Sequence, residues 1–315
     1  MRRARLVTLV ACVALPLTSC GFVKSHVTMS GNVVDAAKKI NDLRKDLTPE
    51  NEYYVGRAVA TNILAKNDYR YLGADEIAQG RMDPLTQYVN EVGQVVVAAA
   101  LETSHKGDRP APLAGWHFII LDSDTINATS APGGFVFITR AAIELAQSED
   151  ELAAVLAHEV AHVVRGHALG TIKKSRWAGM SKELLDSSVQ IDAQGVTKLT
   201  DLLDGGIDDM IDAMFVKGYS RDTEFEADKR GFDIMKRAGY DPGAMIAYLQ
   251  RLGQHQDTGK GGFYDTHPKA SDRIARLKKR LPKHRPEVPQ VRVARFRAAM
   301  APPPPQPDDQ PGDQG

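Results

Sequence analysis

Two histidines four residues apart, His158 and His162, lie inside a strongly apolar stretch and constrain this chain more than any other feature. On a helix, residues four apart project from the same face, so both imidazoles can reach one point in space. Glu159 directly follows the first histidine; its carboxylate cannot reach that point, but it can reach a water bound there. Two neutral imidazoles at this spacing can hold one zinc ion, so the motif predicts a zinc hydrolase.

The residues around the motif are predicted to form a buried helix. Ser148 and Glu151 have capping-box spacing, and Gly166 and Gly170 weaken the helix after the second histidine. The apolar residues between them recur in a helical pattern: Leu152, Val155, Leu156, Val160, Val163 and Val164. Such a helix belongs inside a domain, where histidines and a glutamate need partners, and zinc would supply one. The alternative is a core helix that carries these residues by chance, since short motifs recur by accident.

A third ligand is expected downstream, because catalytic zinc usually has three protein ligands and one position open to water. Ser220 is a suitable N-cap for a helix that ends near Gly239, and Glu224 and Asp228 share one face of that helix. Glu224 is predicted to bind the single zinc ion, and Asp228 to accept the spare ring N–H of a ligand histidine. The alternative is an exposed acidic helix face, which is the expectation for Glu226.

The two metal motifs together resemble the HtpX and CAAX-prenyl-protease family of gluzincins, and in particular its soluble, periplasmic and mitochondrial Oma-like branch. The resemblance covers about residues 48–282. Besides the motifs themselves, the matching segments are Asn127-Ala128 with Pro132-Gly133-Gly134-Phe135-Val136-Phe137, Gly239-Tyr240-Asp241-Pro242, and Thr266-His267-Pro268 with Ser271-Asp272-Arg273-Ile274. The resemblance implies an α+β, mostly α-helical fold: a minimal gluzincin (zincin-like) metalloprotease domain with a small β-sheet whose edge strand lines the active-site cleft.

Three residues of the matching segments are expected to take part in the chemistry of a zinc-dependent endopeptidase. Glu159 would take a proton from the zinc-activated water and return it to the leaving amine. His267 could occupy the fourth zinc position and hold the enzyme idle; stabilising the oxyanion, helix capping and substrate contact are the alternatives. Arg273 is a candidate donor to the oxyanion, on the resemblance of its segment, and a surface arginine is the alternative.

A small sheet is predicted from two buried strands, at residues 116–121 and 135–139. Between them, Asn127 and Ala128 are expected on an exposed edge near the metal, where an extended peptide substrate could add as a further strand. A plain loop is the alternative there. Residues 171–217 are predicted to form short amphipathic helices, either as a lid over the cleft or as ordinary packing.

His167 is predicted to play no part in metal binding. It lies nine residues after His158, which places it on the opposite side of a continuous helix. We therefore expect it to have a structural role.

The N-terminus predicts export and lipid attachment. A basic start and a short apolar stretch end in Leu17-Thr18-Ser19-Cys20, which resembles a bacterial lipobox with Cys20 as the lipidated residue. Gly21 gives no signal for retention in the inner membrane. In a Gram-negative host the expected location is the periplasmic face of the outer membrane; an ordinary secretory signal is the alternative. The 40 basic and 40 acidic residues balance, so nothing indicates a nucleic-acid partner.

The chain is expected to divide into a signal peptide (1–19), a lipidated tether (20–47), a peptidase domain (48–282, with 171–217 as a helical insertion) and a proline-rich disordered tail (283–315). Other helices of the peptidase domain are predicted from Pro49 to about Lys66, from Pro84 to about Glu102, from Asp241 to Leu252, and from near Pro268 to about Leu281.

The family resemblance implies quality control in the cell envelope, with misfolded or unassembled periplasmic and outer-membrane proteins as substrates. A holdase or assembly factor that binds unfolded chains with little turnover is the rival interpretation. A structural zinc protein is disfavoured, because structural sites are closed and usually rich in cysteine. Of the two cysteines, Cys12 lies in the segment that would be removed and Cys20 would carry lipid.

Overall fold

The computed structural model describes residues 48–65, 70–171, 207–212, 214, 218–255 and 270–301. These residues form a small four-stranded sheet surrounded by helices, so the fold is α+β and mostly helical, as the sequence predicts. The strands are β1 (Arg70–Tyr71), β2 (His117–Asp122), β3 (Ala128–Ala131) and β4 (Phe135–Thr139). The helices are α1 (Pro49–Leu64), α2 (Ala74–Ala78), α3 (Pro84–Glu102), α4 (Arg140–Leu145), α5 (Glu149–Val164), α6 (His167–Thr171), α7 (Arg221–Ala238), α8 (Gly243–Leu252), α9 (Ala270–Lys278) and α10 (Gln290–Ala299).

Local capping signals explain where the four longest described helices begin. Before α1, α3, α5 and α7, a side chain accepts a hydrogen bond from the backbone N–H three residues later, which satisfies a donor that has no partner within the helix. These capping residues are Thr48, Asp83, Ser148 and Ser220. Helix α7 ends where Gly239 adopts a left-handed backbone, with φ 77°. The predicted starts of these helices and the predicted end of α7 are confirmed.

The sheet has the order β1-β2-β4-β3, with β2 and β4 parallel and both outer pairs antiparallel. Successive side chains alternate between its faces. Phe118 and Val136 belong to the core that contains α5, whereas Leu121 and Phe137 belong to a second core that contains α1. Because both faces are covered, every residue of β4 is buried.

Helix α1 lies against the second face through a close backbone contact at Gly56. A Cβ atom at this position would lie 1.8 Å from the carbonyl oxygen of Pro132, in the 3₁₀ turn Pro132–Gly134 that joins β3 to β4. Only glycine leaves room for that carbonyl. The contact therefore sets the distance between α1 and the sheet.

Helix α5 is the centre of the larger core, since all of its residues from Glu149 to Val164 are buried. It contacts α3, α7 and α8 as well as β3. The sequence predicts a helix that is apolar on most sides and therefore internal. This prediction is confirmed, and it means that the polar side chains of α5 must find their partners within the protein.

Strand β3 lies at the edge of the sheet, but its residues are not exposed. Asn127 and Ala128 are each 2% exposed, so the expectation of an exposed edge here is wrong. The physical reason is packing: β3 contacts α5, and Ala131 joins the core that contains α1 and Met210. The assignment of Asn127 and Ala128 to substrate binding stays a prediction.

The C-terminal region contains a helix that the sequence does not predict. The expectation of a disordered tail from residue 283 is wrong for α10, which packs Phe296 into the main core. Arg292 and Arg295 of α10 pair with the buried carboxylates of Asp150 and Glu149 at the start of α5. These ion pairs and the burial of Phe296 give the short helix tertiary support. Residues 302–315 lie outside the described residues.

Three other predicted features fall mainly outside the described residues. They are the signal and tether with Cys20, the segment with His267, and most of the insertion 171–217. The described part of that insertion includes a helical stretch, 207–212, whose Ile207 and Met210 pack in the second core. Among the helices that the structure describes, none is both long and apolar enough to cross a membrane.

Candidate active site

His158 and His162 of α5 and Glu224 of α7 bring three donor groups together, as the sequence predicts. The Nε2 atoms of the two histidines lie 3.1 Å apart. The carboxylate of Glu224 faces both rings, with Oε2 3.4 Å from His158 Nε2 and Oε1 3.4 Å from His162 Nε2. All three residues are at most 4% exposed. Among the described residues, these three form the group that could hold a metal ion.

The spacing of these donors fits a zinc ion. Ligand atoms bound at about 2.0–2.2 Å from zinc, at the corners of a tetrahedron, lie about 3.3–3.6 Å from one another. The two histidine nitrogens lie 3.1 Å apart, and each lies 3.4 Å from one of the two oxygens of the Glu224 carboxylate, which is close to this range. Two imidazole nitrogens and one carboxylate are also a donor set that zinc prefers in catalytic sites. The residues therefore fit the metal that the motif implies.

Asp228, one turn after Glu224 on α7, contacts the other nitrogen of His158. Its Oδ1 lies 3.1 Å from His158 Nδ1. Arg273 of α9 donates two hydrogen bonds to the same carboxylate, from Nε to Oδ2 at 2.8 Å and from Nη2 to Oδ1 at 2.6 Å. Burial raises the pKa of Asp228, but Arg273 and His158 lower it more, to about 2. Asp228 is therefore an anion that can hold the His158 ring in one orientation.

Arg273 is 2% exposed, so its interpretation as a surface arginine is wrong. Its Nη1 lies 3.3 Å from Oε2 of Glu224, in addition to the two bonds with Asp228. One guanidinium thus joins the carboxylate of the metal triad to the carboxylate behind His158. Its role as an oxyanion donor stays a prediction.

The groups around His158 shift its pKa in opposite directions. Burial and the charge of Arg273 lower its pKa, whereas hydrogen bonds with Asp228 and Glu224 raise it more, to about 9. A metal ion binds the neutral form of the ring.

His167 lies beside the site, although the sequence reasoning placed it on the far side of a continuous helix. Helix α5 ends at Val164, and Gly166 has a left-handed backbone with φ 65°. The chain therefore turns before α6, and His167 Nδ1 comes to 2.9 Å from His162 Nδ1. Gly166 was the signal that could have revealed this, since a glycine after a helix commonly marks its end.

Tyr219 is a second residue that the sequence reasoning missed. Its ring stacks on His162, with centroids 4.4 Å apart and planes 24° from parallel. Burial, together with the negative charges of Glu159 and Glu224, raises the pKa of the phenol above its ordinary value. Its position immediately before the cap of α7, Ser220, fixes its place next to the metal triad.

Glu159 is 0% exposed and lies on α5 directly after His158. A carboxylate in a buried site beside a metal can act as a proton acceptor. The structure therefore brings Glu159, the three metal donors, Asp228 and Arg273 into one region.

The other predicted site residues lie elsewhere. Asn127 and Ala128 are buried next to α5 at the sheet edge, whereas His267 and Cys20 lie outside the described residues.

Comparison with known protein families gives a match that covers the candidate active site. The model of peptidase family M48 matches residues 86–281, which include the whole of α5, α7 and α9. This match covers more than half of the 315 residues.

Curated relatives include proteases of bacteria and mitochondria. The chain is 30% identical over 217 residues to the beta-barrel assembly-enhancing protease of Escherichia coli strain K12, covering 66% of this chain and 41% of that protein. It is 30% identical over 201 residues to the mitochondrial metalloendopeptidase OMA1 of Schizosaccharomyces pombe, covering 63% and 54%. It is 25% identical over 164 residues to the metalloprotease YcaL of Escherichia coli strain K12, covering 52% and 61%. The chain thus spans about half the length of these relatives.

Proposed function

The chain belongs to peptidase family M48 and is a metallopeptidase, and from this premise we propose that it is a zinc-dependent endopeptidase of the bacterial cell envelope. The observation that carries the proposal is the convergence of His158, His162 and Glu224 at the separations of a tetrahedral zinc site, with Glu159 buried beside them. Its substrates are misfolded or unassembled periplasmic and outer-membrane proteins. This agrees with relatives named as proteases in Escherichia coli.

The chemistry divides between the metal and the protein. Zinc, when bound, lowers the pKa of a water molecule toward about 7 and polarises the peptide carbonyl. His158, His162 and Glu224 would hold the metal. Glu159 takes the proton of the attacking water and delivers it to the leaving amine, as a general base and then a general acid. Arg273 and Asp228 keep His158 in the orientation that directs Nε2 to the metal.

Substrate binding is proposed at the edge of the sheet. Strand β3 is the outermost strand next to β4, and an extended peptide can add to such an edge through backbone hydrogen bonds. The β3 contact with α5 supports this assignment, because it brings Asn127 and Ala128 toward the metal helix. Since both residues are 2% exposed, the proposal requires that the layer covering them moves when a substrate enters.

The location is proposed from the sequence. Leu17-Thr18-Ser19-Cys20 supports lipid attachment at Cys20 and a place at the periplasmic face of the outer membrane, if the host is Gram-negative. Lipid chains stabilise membrane binding by about 0.8 kcal/mol per buried methylene group, so several chains hold the protein firmly. The protein partners are then unfolded or misassembled envelope proteins.

The proposal is tested with the purified mature chain and unfolded β-casein. We expect fragments in the presence of zinc, none after treatment with a chelator, and recovery of cleavage when zinc is returned. Mass spectrometry of the fragments identifies the cleaved bonds. Casein that stays intact while its aggregation is suppressed would contradict the peptidase proposal and favour the holdase interpretation.

Cellular substrates require a second experiment. Strains that carry either the normal gene or the Glu159→Gln variant are compared under envelope stress for the accumulation of unassembled outer-membrane proteins. We expect accumulation with the variant. Equal rescue by the two forms would show that binding, and not cleavage, is the cellular activity.

A further inference from the structure

The two metal histidines have different partners behind them, and the partner of His162 has no assigned role. The Nε2 atom of His162 faces His158 Nε2 and Glu224 Oε1, at 3.1 and 3.4 Å. If this nitrogen binds the metal, the proton of the neutral ring must be on Nδ1, because a neutral imidazole has one donor and one acceptor nitrogen. That Nδ1 atom lies 2.9 Å from Nδ1 of His167.

The same argument fixes the tautomer of His167. To accept a hydrogen bond at Nδ1, the His167 ring must carry its own proton on Nε2. This Nε2 has no hydrogen-bond partner among the described residues, and it lies 3.5 Å from Oε2 of Glu226, which is an ion-pair distance. Glu226 also pairs with Arg165. Glu226, His167 and His162 thus form a row in which every ring proton points outward, away from the metal.

We propose that His167 is a positioning residue for the metal: it accepts the Nδ1–H of His162 and so holds Nε2 of that ring toward the metal, with Glu226 at the outer end of the row. The inference rests on the proposed function only in assuming that His162 binds a metal. Hydrogen bonds of this kind fix the tautomer and the orientation of ligand histidines and raise their basicity.

The surroundings of the two rings support this role. Tyr219 stacks on His162 and lies 6.2 Å, centroid to centroid, from His167, so both rings are restricted on one side.

The groups behind His162 differ from those behind His158 in charge and in exposure to solvent. His158 faces the anion Asp228, which is enclosed and paired with Arg273. His162 faces a neutral ring, and the negative charge of Glu226 is one ring farther out, with 43% of its side chain exposed. We therefore expect a large effect from removing the acceptor at His167 and a smaller one from changing Glu226, whose charge is partly screened by solvent.

The experiment measures zinc affinity in the whole chain by competition with a chromogenic chelator. His167→Phe keeps a ring but removes the acceptor, and His167→Asn retains an oxygen near the position of Nδ1. We expect zinc binding to weaken about 10–100-fold in the Phe variant and to return to within about threefold of the original value in the Asn variant. His105→Phe, the same change at an exposed histidine, is the matched control and should bind zinc normally.

Two further measurements separate positioning from simple packing. The unfolding midpoint of each metal-free variant in urea reports packing, and the visible spectrum of the cobalt-substituted protein reports the ligand field. Unchanged zinc affinity in His167→Phe would overturn the proposal, and so would an equal loss in Phe and Asn variants. Cleavage of β-casein is scored separately: a chain that binds zinc normally but cuts nothing contradicts the peptidase proposal and leaves this inference intact.

Discussion

Arg273 and Asp228 are joined by two parallel hydrogen bonds, of 2.8 and 2.6 Å, in a part of the core where each residue is at most 3% exposed. The pair connects α9 to α7 directly behind the metal donors. Because Asp228 also contacts His158, the arginine supports the metal site without itself being a metal ligand. The same guanidinium lies 3.3 Å from Glu224, so it balances two buried carboxylates at once.

Removing this arginine is expected to destabilise the fold strongly. Arg273→Ala removes the guanidinium that pairs with both Asp228 and Glu224 in the core, and breaking a buried ion pair on one side costs about 3–5 kcal/mol. Urea unfolding of the metal-free chain measures the free energy of unfolding. Lys278→Ala, at an exposed position of the same helix, should change it by no more than about 0.5 kcal/mol. A similarly small change in Arg273→Ala would contradict the support that we assign to it.

Glu159→Gln tests the proton acceptor. The amide cannot take a proton from water, so we expect peptidase activity to fall about 10²–10⁴-fold, while zinc binding stays because Glu159 is not among the three donors. Activity on unfolded casein and zinc content are measured on the same preparation. Glu144→Gln changes an exposed glutamate on α4 and should leave both values unaltered. Full activity in the Glu159 variant would refute its role.

Zinc is expected to stabilise the protein against heat, because it binds the folded chain through residues from two separate helices. At a free concentration 1,000 times the dissociation constant, binding stabilises the folded state by about 4 kcal/mol. For a domain of this size that raises the melting temperature by about 8–16 °C. Glu224→Gln loses one of the three donors, so its melting curve should respond to zinc much less. Equal zinc-induced shifts in both proteins would exclude Glu224 as a ligand.

The C-terminal helix is expected to contribute to stability through Arg295. Its guanidinium pairs with Glu149, whose side chain is 0% exposed and also accepts hydrogen bonds from Tyr88 and Tyr240. Arg295→Gln should lower the free energy of unfolding by about 1–2 kcal/mol, less than the loss of Arg273, because Arg295 is 47% exposed and screened by water. Arg297→Gln, an exposed neighbour on α10, is the control for urea unfolding. No difference between the two variants would mean that the Arg295–Glu149 pair does not contribute to holding α10.

Gly56→Ala tests the contact between α1 and the sheet. The added methyl group would lie 1.8 Å from the Pro132 carbonyl, so the helix must shift, and we expect a loss of about 2 kcal/mol or more. Gly170→Ala is the matched change, because no atom of the described residues lies within 4 Å of a Cβ there, and alanine in α6 should be neutral or stabilising by up to about 1 kcal/mol. Differential scanning calorimetry compares the two. An equally mild effect at Gly56 would show that α1 moves freely relative to the sheet.

Much of the fold follows from local signals in the sequence. Thr48, Ser148 and Ser220 cap helices because their side-chain oxygens accept backbone N–H groups a few residues away, which is a property of short segments. The convergence of Glu224 with the two histidines was also predictable, since zinc chemistry requires a third donor and the acidic face of α7 offers one.

The rest of the fold and of the site depends on contacts between segments that are far apart in the sequence. The sequence left a surface position open as the alternative for Arg273, because a charged residue in an amphipathic helix is usually exposed, and only its pairing with Asp228 makes burial favourable. Helix α10 was missed for a similar reason, because Arg292 and Arg295 find their partners at the start of α5, over 140 residues earlier. His167 was misplaced by extending α5 through Gly166, although the glycine ends the helix.

Arg273 follows His158 at a long distance along the chain, and this order determines when the active site can be completed during synthesis. The arginine is made 115 residues after the histidine. At a synthesis rate of about 5–20 residues per second, roughly 6–23 s pass between the two. During this interval the nascent polypeptide carries both imidazoles but lacks the guanidinium that pairs with Asp228 and Glu224, so the buried site cannot yet be complete.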